Sequence, residues 1–133
     1  MNPTQKISRV WVRGVALVGG IFYIFVGLAL LFAPVWFFET IGNFPPFNRH
    51  YMGDLGGFIL PIGIGLLIAA RDPARHWTLV GVVVAANVLH AINHIYDAII
   101  GQEPLTHWLV DTGPLLVFAI IFGIAYREQM RTN

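Results

Sequence analysis

Four long apolar stretches divide the chain, at approximately 10–33, 51–70, 77–100 and 108–126, and most polar residues gather in the segments between them. Each stretch is roughly 19–24 residues long, enough at ~1.5 Å per residue to cross a hydrocarbon core of ~30 Å. The pattern predicts an all-α fold: an integral membrane four-helix up-and-down bundle, forming a single domain over residues 1–133. Four spans leave little chain for a soluble catalytic domain. A short extracytoplasmic interfacial segment is expected between the first and second helices.

The breaks between stretches carry their own signals. Ala33-Pro34 ends the first span, because a residue before proline disfavours continued helix. The segment PVWFFETIGNFPPFNRHY that follows is aromatic and poor in charge, with a short amphipathic helix expected over Val35–Ile41. Anchoring at headgroup level is its plainer role, and a lid over a cavity the more specific one. Gly14, Gly19, Gly20 and Gly27 in the first span invite close helix approach, and Gly53 with Gly57 forms a GxxxG at the start of the second, for packing within the bundle or between protomers. Pro61, followed by Gly63 and Gly65, predicts a kink there. Residues 71–76 form a tight polar turn that favours adjacent antiparallel helices. Gly101–His107 forms a short outer loop, and Gly113-Pro114 is expected to bend the fourth span.

Composition agrees with membrane burial: 56% of residues are hydrophobic and 11% charged. Lys6, Arg9 and Arg13 precede the first span, Arg71 and Arg75 lie in the second connection, and Arg127 and Arg131 follow the last span. Only Arg49 lies on the other side. The positive-inside rule then places both termini in the cytoplasm of a multi-pass inner (plasma) membrane protein. The basic residues flank spans and form no patch, so no nucleic-acid partner is expected. The apolar run near the N-terminus is longer than a signal-peptide core and lacks a small-residue cleavage site, which favours a retained span. With no cysteine, disulfides and thiolate metal sites are excluded. Trp11, Trp77 and Trp108 stand at span ends as belt anchors.

Candidate chemistry is concentrated in the third span. Asn87, His90, His94 and Asp97 stand at i, i+3, i+7 and i+10 and share one face within roughly 80°. Asn93 and Tyr96 point away from this stripe. Ionisable groups at membrane depth are costly, so an aligned set suggests a site. The topology places Asp54 and Asp111 at a comparable depth on the second and fourth spans, with His50 and His107 nearer the surface. An outward-facing polar pocket of Asp54, Asn87, His90, His94, Asp97 and Asp111 is therefore expected. The HxxxH spacing of His90 and His94 can direct both imidazoles toward one ion, with Asp97 as an oxygen ligand. Such a set suits zinc, iron, manganese or copper(II).

Other readings compete. The same residues can form a buried hydrogen-bonded network that only joins helices. A zinc peptidase is disfavoured because Ala91-Ile92 follow His90 where HExxH carries its glutamate. Haem is disfavoured because two histidines on one helix cannot bind opposite faces of one iron. A proton path is disfavoured because the polar line stops halfway across.

The glycine-rich first span ending at Ala33-Pro34, the GDLGG opening of the second and HAINHIYD in the third make the chain resemble the small four-helix DoxX-like membrane proteins. That resemblance implies a bacterial inner-membrane bundle, with roles in quinone-linked sulfur oxidation or beside redox systems. Overall, the residues favour a membrane binding or accessory protein for a small polar ligand, a lipid headgroup or a metal. The alternatives are a metal-dependent membrane enzyme or redox component using His90 and His94, and a structural subunit. The lipid bilayer is the expected partner, together with a homo-oligomer or a larger membrane complex.

Overall fold

A computed structural model describes residues 3–42, 45–101 and 112–132, and every regular element among them is helical. These elements are α1 (Pro3–Phe32), α2 (Pro34–Thr40), α3 (Arg49–Arg71), α4 (Trp77–Gly101) and α5 (Gly113–Thr132). Among the described residues, three segments are long and apolar enough to cross a membrane: Arg9–Phe32, Arg49–Arg71 and Trp77–Gly101, of 24, 23 and 25 residues. The early part of the fourth apolar stretch, with Trp108, lies outside the described residues. Large apolar side chains face outward along the helices, including Phe58 at 75% exposure and Leu89 at 67%. An exposed apolar surface of this extent suits lipid rather than water.

Local chemistry sets the helix ends. α1 stops at Phe32 because Ala33 leaves the helical region, with φ −133°, and Pro34 opens α2 where its missing N–H costs nothing. α2 folds back so that Phe37 is buried beside Ala29 and Leu30 of α1. The expected short helix over Val35–Ile41 thus lies over Pro34–Thr40. Asn48 caps α3, its side chain accepting from the backbone N–H groups of His50 and Tyr51 at 3.0 and 3.2 Å. The following turn is held by Asp72. Its carboxylate accepts from the Arg75 N–H at 3.3 Å, and its carbonyl accepts from the His76 N–H at 3.2 Å. α3 continues as helix through Pro61, and Pro114 stands in the first turn of α5.

α1 packs most extensively on α3, and α4 on α5, while α1 also meets α5 and α3 meets α4 over a smaller area. Glycines set the closeness of the first pair. A Cβ on Gly63 would lie 2.7 Å from the Ile24 nitrogen and 2.9 Å from the Gly20 carbonyl oxygen. One on Gly27 would lie 2.8 Å from the Leu60 nitrogen, and one on Gly56 would lie 2.9 Å from the Gly27 carbonyl oxygen. Gly20 thus faces Gly63 and Gly27 faces Gly56, an antiparallel register with both partners spaced by two helical turns. Close backbone approach of this kind replaces a hydrophobic driving force in lipid.

The GxxxG takes no part in this seam within the bundle. A Cβ on Gly57 would meet nothing within 4 Å, and one on Gly53 would meet only the Arg49 guanidinium. Gly57 lies ~100° around the helix from Gly56, on an open face.

Candidate functional site

α4 buries Val80, Val83, Asn87, Ala91 and Ala98 along one face. Of these, Val80 and Val83 pack with Leu66 and Ala69 of α3 and Phe122 of α5, with Tyr23 and Phe118 at the periphery. The polar stripe runs along the border of this face and is therefore divided. Asn87 falls inside it, His94 is half-buried, and His90 and Asp97 are exposed.

Asn87 is 3% exposed and occupied by protein partners. Its amide donates to the Val83 carbonyl at 2.8 Å, and its carbonyl oxygen accepts from the Tyr23 hydroxyl at 2.7 Å. Tyr23 belongs to α1, which otherwise approaches α4 at few points. Asn87 therefore ties two helices together across the interior, the role of a helix-joining network rather than of an open ligand group.

His90 and His94 form the most distinctive polar arrangement. Their Nε2 atoms are 3.1 Å apart, with ring centroids at 4.8 Å and planes inclined by 48°. Without a cation between them, one Nε2 donates and the other accepts, so the neutral pair shares one proton. Two nitrogens bound to one zinc ion at ~2.0–2.1 Å stand ~2.8–3.4 Å apart for angles between octahedral and tetrahedral. The observed separation falls within that range. Beside the pair, the Asn93 amide donates to the Asp97 carboxylate at 3.0 Å. Asn93 thus joins the polar border through Asp97, although helical spacing alone sets it apart from the stripe.

Asp54 lies elsewhere in the contact network. Its carboxylate meets His50 Nε2 at 3.4 Å, an i,i+4 pair on α3 with side chains 55% and 80% exposed. Exposed pairs of this kind contribute little stability. Asp111 and His107 lie outside the described residues. Among the described residues, no three His, Asp or Glu side chains form a group able to hold a metal ion. Among those residues the two imidazoles stand as a pair without a third such side chain beside them, and Asp97 engages Asn93.

The family model for BphX-like proteins matches residues 55–132, more than half of the chain. The chain belongs to the BphX-like family. Asn87, His90, His94 and Asp97 all fall within the matched stretch, and Asp54 immediately precedes it. The DoxX-like resemblance gains no support from this match. No curated protein sequence and no solved structure matches the BphX-like chain.

Two features of this BphX-like chain escape a reading based on spacing. Tyr23 partners Asn87 from 64 residues away; the only hint is a lone hydroxyl in the middle of the first apolar stretch. Arg9, Arg13 and Arg71, which seem scattered along the sequence, line one cavity with Val10, Asp72, Pro73 and Ala74. The expectation that the basic residues form no patch is corrected here, because antiparallel packing brings the start of α1 against the end of α3.

Proposed function

We propose that the protein is a four-span integral membrane binding or accessory protein whose outer half offers a polar site centred on His90 and His94. The carrying observation is the 3.1 Å separation of the two exposed-side Nε2 atoms. Of the candidate occupants, a divalent transition metal ion suits that donor pair best, with a small polar molecule or lipid headgroup as the competing occupant. Asp97 is the nearest carboxylate in sequence, one turn beyond His94, and would have to exchange its Asn93 contact to join the shell. Water or a further donor would complete it. The site's place in the outer half follows from the Lys and Arg distribution, which sets both termini in the cytoplasm.

Metal analysis of protein purified without added metal tests the occupant. The expected result is a substoichiometric to equimolar transition metal content in the wild type that disappears in His90→Ala/His94→Ala, with helical content unchanged. The same metal content in both proteins would remove this reading.

Topology has a separate test, made clean by the absence of native cysteine. A membrane-impermeant thiol reagent applied to intact cells should label Thr40→Cys and leave Arg75→Cys unlabelled until the membrane is opened. The reverse labelling pattern would invert the orientation.

A further inference from the structure

The basic cavity at the opposite end of the helices is separate from the histidine pair. It has a volume of about 220 Å³ and is lined by Arg9 and Arg13 of α1, Arg71 at the end of α3, and the turn residues Asp72 to Ala74. Arg9 and Arg13 stand at i and i+4, so they share one helix face. Three arginines thus line one space whose lining contains a single carboxylate. Among the described residues, neither that carboxylate nor any other forms an ion pair with them. Asp72 instead accepts from the Arg75 backbone. Cations lining one space without a paired carboxylate repel one another, and an anion entering that space relieves the repulsion.

The cavity's position indicates which anion. Arg9 begins one membrane-length segment and Arg71 ends another, so the cavity lies at the depth where the spans leave the apolar core. Phosphate groups of lipids lie at this depth, and the cytoplasmic leaflet carries the anionic ones. Guanidinium groups engage phosphate oxygens through paired N–H donors, which a lysine ammonium does not reproduce. We propose that Arg9, Arg13 and Arg71 bind a phosphate group, presented by an anionic phospholipid of the inner leaflet or as free phosphate. The proposal rests on the membrane embedding argued above, and it is independent of any ligand at His90 and His94.

The test uses the full chain in nanodiscs of phosphatidylcholine containing a minor fraction of phosphatidylglycerol, followed by extraction of the lipid retained by the protein. Phosphatidylglycerol should be enriched about fivefold or more in the retained lipid. That enrichment should be lost in R9Q/R13Q/R71Q and kept in R75Q, which removes a nearby cation outside the cavity. A parallel arm adds inorganic phosphate to detergent-solubilised protein. A phosphate-dependent rise in Tm without lipid enrichment, abolished in R9Q/R13Q/R71Q, would support the same site with free phosphate as its source. Absence of both responses in the wild type, or equal losses in R9Q/R13Q/R71Q and R75Q, would overturn the proposal. Should the triple variant lose its helical signal, R9K/R13K/R71K serves instead. It keeps the charge but loses the paired donors, so it should retain less phosphatidylglycerol than the wild type, and equal retention would count against the proposal. A chain that does not enter nanodiscs overturns the embedding and this proposal together. An inserted chain that takes neither lipid nor phosphate overturns the proposal alone.

Discussion

Gly63→Ala and Gly27→Ala each lower the Tm of the protein, whereas Gly57→Ala leaves it unchanged or raises it. In an exposed helix interior, alanine is favoured over glycine by ~0.5–1 kcal/mol. At Gly57 that preference acts alone, because an added Cβ meets nothing within 4 Å. At Gly63 the added Cβ would lie 2.7 Å from the Ile24 nitrogen, and at Gly27 it would lie 2.8 Å from the Leu60 nitrogen. Backbone atoms cannot rotate aside as a side chain can, so α1 and α3 must separate. Overpacking of this kind costs ~1–3 kcal/mol, which exceeds the gain in helix propensity. Gly19 offers a comparison, since its added Cβ would meet a side chain, the buried Phe122 ring, rather than backbone. Thermal unfolding in detergent, followed by circular dichroism, reads all four variants. Equal behaviour of Gly57→Ala and Gly63→Ala would contradict the seam.

Asn87→Ala destabilises the protein by about 1–3 kcal/mol, because it leaves the half-buried Tyr23 hydroxyl without its acceptor as well as opening space. Tyr23→Phe costs less, about 0.5–1.5 kcal/mol, because it removes the hydroxyl and leaves the Asn87 amide on the Val83 carbonyl. A double-mutant cycle should return a coupling of ~0.6–2 kcal/mol for this bond across the helices. Additive effects of the two changes would show that the Tyr23–Asn87 contact at 2.7 Å carries no stability of its own. Neither change should alter metal content, because Asn87 contacts Tyr23 and Val83 rather than either histidine. That outcome separates the structural end of the polar stripe from the end proposed to bind a ligand.

These two cases mark where the sequence is legible and where it is not. Span positions follow from runs of apolar residues long enough for a bilayer. The Ala33-Pro34 break is readable because proline restricts the residue before it. Which glycines touch is a property of pairing. Gly53 and Gly57 satisfy a motif, but Gly56 and Gly63 face α1, and no local spacing reveals the register that aligns them with Gly27 and Gly20. Helical period correctly places Asn87, His90, His94 and Asp97 near one face, yet it does not locate the edge of packing within that face. The edge runs between Asn87 and His90, so residues one turn apart have different environments. Depth alone groups Asp54 with them, whereas its contact is with His50 on its own helix. The arginine cavity depends on the packing of α1 against α3 and is likewise invisible to a linear reading.

The histidine pair remains the centre of the functional account, and cobalt(II) is its most direct probe. Titration of the metal-free chain in nanodiscs with cobalt(II) should produce saturable visible absorption bands characteristic of nitrogen coordination. These bands should be absent in His90→Ala/His94→Ala and present in Asn87→Ala. Identical spectra for the wild type and His90→Ala/His94→Ala, or no bands in the wild type at saturating cobalt(II), would contradict the assignment of a metal site to His90 and His94.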